Sequence, residues 1–271
     1  MKPRPFDYVR PDTVDEVLAL LAEYGDDARI LAGGQSLLPM LNLRLIDPAA
    51  LIDISRLAAL DVISDRGNII EIGAAVTQNA LLAWPQLKLK LPLLAAALPF
   101  VGHFQTRNKG TVCGSIAHAD PSSEIPLALA LCGGAVVLRS KRGERVLAAE
   151  AFQQDMLTTA RAPDELIAAV RFPVIEGKGV AFDEAARRHG DFAIVAVAAI
   201  ADRRGAAVLG VGGIAGRPLV RAIDGNAPGA IAAWADELEG YEDLHATAAL
   251  RRDLLRNLGL SVVAEAIRCA A

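Results

Sequence analysis

Two short stretches carry residue types that could hold an anion. In the first, Ile30-Leu31-Ala32-Gly33-Gly34-Gln35-Ser36, an apolar strand ends in paired glycines and a hydroxyl just before a helix start. That order places backbone N–H groups and the Ser36 hydroxyl at a helix N-terminus, a combination suited to phosphate or pyrophosphate. Gly33 and Gly34 would let the main chain approach the anion with no Cβ in the way. Alone, this stretch reads better as an ordinary strand-to-helix turn than as a site. The second stretch, Gly102 to Glu124, reads GHFQTRNKGTVCGSIAHADPSSE and also ends at a helix start. Thr111, Gly114 and Ser115 repeat the chemistry of small residues with hydroxyls. Two such loops could grip both ends of a diphosphate. Asp120 and Glu124 add carboxylates able to accept hydrogen bonds from ribose hydroxyls or a ring N–H, and His118 lies where it could touch a ligand, with surface or loop packing an equal reading of it.

Other patterns carry less. Gly210-Val211-Gly212-Gly213-Ile214-Ala215 formally matches a dinucleotide fingerprint, but Gly216 and Pro218 leave no room for the helix it requires. A turn in an antiparallel sheet is the expectation there. No Gly-Lys-Ser/Thr loop occurs, and no GxSxG. His103, His118, His189 and His245 lack metal-ligand spacing, and Cys113, Cys132 and Cys269 are widely separated with no CxxC. The expectation is no metal site and no disulfide framework, with Cys113 as a buried spectator thiol.

These loops need a scaffold, and the chain is long enough to build one. Its 271 residues are 53% hydrophobic and 22% charged, a globular composition. A net charge of −4 with scattered basic residues argues against nucleic-acid binding, and 4% aromatics argue against broad stacking platforms. No apolar run is long enough to span a membrane, the N-terminus lacks a signal-peptide core, and the cysteine usage fits a reducing compartment. The expected location is the cytoplasm.

The spacing predicts a helix over 14–24, capped by Thr13 with Glu16 and stopped at Gly25. A strand at 28–32 and a helix from Ser36, acting as N-cap, to about 43 follow. Strands are expected at 51–54, 69–73, 135–139 and 166–172. Helices are expected from Thr77 to Trp84, from 91 to 98, and from 124 to 132 with Gly133 after the end. Residues 102–123 read as a polar, glycine-bearing loop. Beyond 173–178 the pattern changes to antiparallel strands at 182–187, 194–201 and 206–211, then helices at 230–239 and 246–267. The class is α+β, with a boundary near Pro173.

Ile30–Leu45 and Gln105–Glu124, with Ala185–Phe192 (AARRHGDF), resemble the flavoprotein subunit of molybdenum hydroxylases, the medium, FAD-binding subunit of the carbon monoxide dehydrogenase and xanthine dehydrogenase type. The resemblance runs from Pro5 to about Leu255. It implies two FAD-binding subdomains of the vanillyl-alcohol-oxidase type, about 1–57 and 58–172, then a C-terminal domain over 173–271. It implies that Ala32, Gly33, Gly34, Gln35 and Ser36 form the first diphosphate loop, with Arg29, Ile30 and Leu31 on the strand leading in. Thr111, Gly114 and Ser115 match the second loop, Asp120 and Glu124 polar flavin contacts after it. Ile167 matches an apolar residue near the flavin, and Asp183 a position beside the ring where some relatives carry Lys. Cys113 replaces the first glycine of the family's Thr-Ile-Gly-Gly; a positive φ there would strain it by about 1 kcal/mol or more.

The implied function is electron transfer, from iron–sulfur clusters on a small subunit through FAD to an acceptor, while a large molybdopterin subunit hydroxylates substrate. The implied assembly is a dimer of heterotrimers. A stand-alone FAD oxidase or dehydrogenase, and a non-enzymatic assembly module whose loops have lost FAD, are the alternatives.

Overall fold

The computed structural model describes residues 2–223 and 227–270. Three sheets organise them. The first is parallel, with β1 (Asp7–Val9), β2 (Ala28–Leu31) and β3 (Ala50–Asp53) in the order β1-β3-β2. The central strand β3 is buried along its whole length, whereas β2 lies at an edge and is only half-buried beyond Ala28. The Val14–Tyr24 helix packs on this sheet through Val17, Leu18 and Leu21. The Thr13 hydroxyl accepts from Glu16 N, and the Glu16 carboxylate accepts from Asp12 N, so both ends of the predicted cap are engaged.

The second sheet is antiparallel and runs β4-β5-β10-β6-β7: Ile63–Asp65, Ile69–Gly73, Leu166–Pro173, Ala135–Ser140 and Gly143–Ala148. A short hairpin, β8 (Gln153–Asp155) with β9 (Thr158–Thr159), precedes β10. The third sheet joins β11 (Gly179–Ala185), β12 (Val195–Ala201), β13 (Ala207–Gly212) and β14 (Leu219–Ile223) as an antiparallel meander. Sequence pattern anticipated the first three of these strands and missed β14, whose alternate residues face solvent. Helices Ala227–Glu237 and Ala248–Cys269 cover one face of this sheet.

Strand β12 ties the two halves together, because both its faces are buried. Val195, Val197, Ala199 and Ala201 join the core under the C-terminal helices; Ala196, Ala198 and Ile200 join the larger core shared with the first 175 residues. The residues between the bulky ones are alanines, which lets helices close on both sides. On β13, a Cβ on Gly212 would lie 2.8 Å from the Pro121 carbonyl oxygen. The Gly210–Ala215 cluster is therefore a strand end and turn pressed against the segment entering the Glu124–Leu131 helix, as the missing helix room in the sequence suggested.

One buried charge fixes this seam. Arg251 is 1% exposed and donates to the carbonyl oxygens of Ile194 at 2.5 Å and Gly213 at 2.6 Å, and to Asp243 Oδ2 at 2.6 Å. Its guanidinium lies 4.1 Å from the centre of the Tyr241 ring. Arg251→Met would leave two main-chain acceptors and a carboxylate without their donor. The expected result is a loss of about 2–4 kcal/mol in unfolding free energy, read from the denaturant midpoint.

Candidate functional site: a cleft between two glycine loops

The edge strand β2 and the helix after it face the second sheet across a cleft of about 860 Å³. The two glycine stretches meet at its centre. A Cβ on Gly33 would lie 2.1 Å from the Lys109 carbonyl oxygen and 2.7 Å from Gly110 Cα. The absent side chain thus lets one loop rest on the backbone of the other. Gly34 adopts φ +70°, which turns the chain into the Leu37–Asn42 helix. The second loop is held from behind: Gln78 N donates to Gly110 O at 2.8 Å, Val112 N to Val76 O at 3.1 Å, and Thr77 bridges to Thr111.

The second stretch is not an open loop. Phe104–Arg107 and Val112–His118 are helical. Small, polar residues disguise the latter, but Val112, Cys113 and Ile116 are buried, and the Thr111 hydroxyl accepts from Gly114 N at 2.9 Å. Burial and a cap override weak propensity. Cys113 lies inside this helix, is absent from the positive-φ residues, and donates its thiol to Ile72 O. The strain anticipated there does not arise; burial pushes its thiol pKa far up, so it stays an inert thiol. Ser36 sits at the N-cap position in helical conformation without a side-chain cap bond. Its expected capping role is therefore corrected.

Of the residues singled out from sequence, Arg29, Ile30, Ala32, Gly33, Gly34, Gln35, Ser36, Thr111, Gly114, Ser115, His118, Glu124 and Ile167 line this cleft. Leu31, Asp120 and Asp183 do not. Leu31 packs its side chain towards Gly34 and Leu38 instead. Asp120 accepts from Ser122 N at 2.8 Å and so shapes the turn into the next helix. Asp183 is displaced by strand parity: side chains alternate, so Phe182 and Glu184 share a face and Asp183 takes the other. Phe182 packs into the large core beside Phe100, with ring centres 5.1 Å apart.

Parity brings Glu184, unremarked in the sequence, into the electrostatic field of Glu124. Burial pushes the Glu124 carboxyl up to about 7, with Asp120 adding to the rise. Burial also pushes Glu184 up to about 8, reinforced by Glu124 and Asp183, and its Oε2 is buried without a partner. Burial lowers the His118 pKa, against the pull of Asp120. Two further residues lining the cleft, Gln78 and Arg161, lacked any sequence signal of their own, and Phe192 joins them from the end of the AARRHGDF stretch. Gln78 is 5% exposed, and its Oε1 is buried with no protein partner. A buried amide oxygen left open on a cleft wall fits a ligand that brings a donor, as the hydroxyls and ring N–H of a flavin nucleotide do.

The family model described as "FAD binding domain in molybdopterin dehydrogenase" matches residues 4–175. The chain belongs to this family. Its cofactor is FAD, and its α+β fold is that of the flavoprotein subunits. It is 42% identical over 201 residues to the 6-hydroxypseudooxynicotine dehydrogenase complex subunit alpha of Paenarthrobacter nicotinovorans, covering 74% of this chain and 68% of that one. It is 33% identical to the nicotine 6-hydroxylase medium subunit of the same organism, over 96% of both chains. A chain of the crystallised Cu,Mo-CO dehydrogenase superposes with a TM-score of 0.94 at 32% identity, over 100% of both.

The raised carboxyls set a pH signature. Glu124 and Glu184 hold protons in the folded chain at pH values where the unfolded chain has released them. Stability contributed this way is present near pH 4.5 and is lost as pH rises towards 7–8. Denaturant midpoints of the flavin-free chain should therefore fall over this range, and Glu184→Gln should flatten the decline; an unchanged slope in the variant would contradict the assignment.

Proposed function

We propose that this chain is the electron-transfer subunit of a heteromeric molybdenum hydroxylase, holding FAD in the cleft between its glycine loops. The observation that carries the reading is the meeting of Gly33 with Lys109 and Gly110, which puts both anion-suited stretches on one cleft. The bound flavin supplies two-electron chemistry that can also proceed in single-electron steps. The protein positions and tunes it. Ala32–Ser36 and the first turn of the Val112–His118 helix are assigned to the diphosphate, with Thr111, Gly114 and Ser115 in that turn. Glu124, His118 and Ile167 flank the rest of the cofactor.

The proposed working units are about 1–57, 58–172 and 173–271, the first two forming the cleft walls and the third contributing Phe192 at the rim. The proposed partners are a small iron–sulfur chain and a large molybdopterin chain, assembled as a dimer of heterotrimers in the cytoplasm. No helix among the described residues is long and apolar enough to cross a membrane. The relatives named subunit alpha and medium subunit support a role within a complex.

Purification from the native host tests this directly. The expected product is a yellow-brown complex in which this chain co-elutes with two others, and from which denaturation releases FAD. A single-chain preparation that oxidises an organic substrate unaided, or one that neither carries nor takes up FAD, would overturn it.

A further inference from the structure

Two arginines line the same cleft wall, and among the described residues neither is held in an ion pair. Arg29 lies on β2 and Arg161 in the loop before β10, and both line the cleft. Main-chain carbonyls orient each of them. Arg29 Nη1 donates to Asp26 O at 2.7 Å and Ala28 O at 2.8 Å. Arg161 Nη1 donates to the carbonyl oxygens of Ala162 at 3.0 Å, Pro163 at 3.1 Å and Glu165 at 2.8 Å. Among the described residues, no carboxylate forms an ion pair with either. Asp164 and Glu165 are engaged by Arg142 and Arg145 instead. All the bonds above come from Nη1, so Nε and Nη2 of both side chains are available to a ligand.

This arrangement favours an anionic ligand. Burial lowers the Arg161 pKa and the neighbouring Arg29 charge lowers it further, against the weaker opposing pull of Glu165, Asp26 and Asp164. Two like charges held close on a cleft wall repel, and an anionic ligand reverses the sign of that interaction. Gly33 lies four residue steps beyond Arg29, roughly 13 Å for extended chain. A nucleoside attached to a diphosphate at the glycine loop could reach back over such a span. Its phosphates would supply the negative charge, and its base a flat face on which a guanidinium stacks.

We propose that Arg29 and Arg161 receive the adenosine diphosphate half of the cofactor, and that Arg161 makes this cleft selective for FAD over FMN. The proposal rests on the FAD reading above and adds to it a residue in a loop without any motif. The test is titration of the flavin-free full chain with FAD, FMN and ADP, in the wild type, R161L and R161K. R161K keeps the charge and loses the plane, and it guards against a misfolded R161L; circular dichroism checks both.

In R161L, FAD and ADP should each bind about ten- to a hundredfold more weakly, while FMN changes by less than about twofold. R161K should fall between R161L and the wild type for FAD and ADP. The proposal is overturned if both folded variants bind FAD and ADP as the wild type does, or if FMN weakens as much as FAD. A wild-type chain that binds FMN and ADP but not FAD, or no nucleotide at all, would remove the FAD reading together with this one.

Discussion

The cleft exists because Gly33 has no side chain. Its Cα faces the Lys109 carbonyl at a distance that no Cβ could share, so the two glycine loops touch backbone to backbone. Everything else at the site follows from that contact. The parallel sheet brings β2 to its edge and delivers the first loop; β5, the Thr77 turn and the Val112–His118 helix deliver the second. The contact lies between elements far apart in the chain. It sets the starts of two helices along one groove.

The C-terminal sheet completes the site without forming its floor. Doubly buried β12 is shared between two cores, which couples that sheet to the helices behind the glycine loops. Arg251 grips Ile194 O and Gly213 O. It thereby fixes the end of the segment that carries Gly190, Asp191 and Phe192 to the cleft rim. At the cleft wall lies Glu124, with Glu184 in its field; burial keeps both from ionising, Asp120 adding to the effect at Glu124, and Glu124 and Asp183 at Glu184. Carboxyls poised near neutrality beside a flavin cleft can hold or release a proton as the charge in the cleft changes.

Much of this was legible in the sequence, and the failures have identifiable physics. The first glycine loop, the Thr13 and Thr77 caps and the α+β order follow from local patterns, which local structure obeys. The Val112–His118 helix was hidden because Gly, Ser, Thr and Cys are poor helix formers in isolation; its stability comes from burial of Val112 and Ile116. Asp183 lies outside the cleft lining because strand parity, which a resemblance in sequence does not fix, turns Glu184 rather than Asp183 towards the field of Glu124. Gln78 and Arg161 matter only through long-range placement, with no spacing to announce them. Cys113 was expected to strain a glycine position and instead occupies an ordinary helical one.

The central claim is that backbone contact between the two loops makes the FAD cleft. The most direct measurement is calorimetric titration of FAD into the flavin-free chain carrying Gly33→Ala, beside the wild type. The added methyl must push Lys109 and Gly110 away, while none of the three sheets includes Gly33. The account predicts an unchanged circular dichroism spectrum with FAD affinity lower by at least about tenfold, or ~1.4 kcal/mol. A folded Gly33→Ala chain that binds FAD as tightly as the wild type would contradict it.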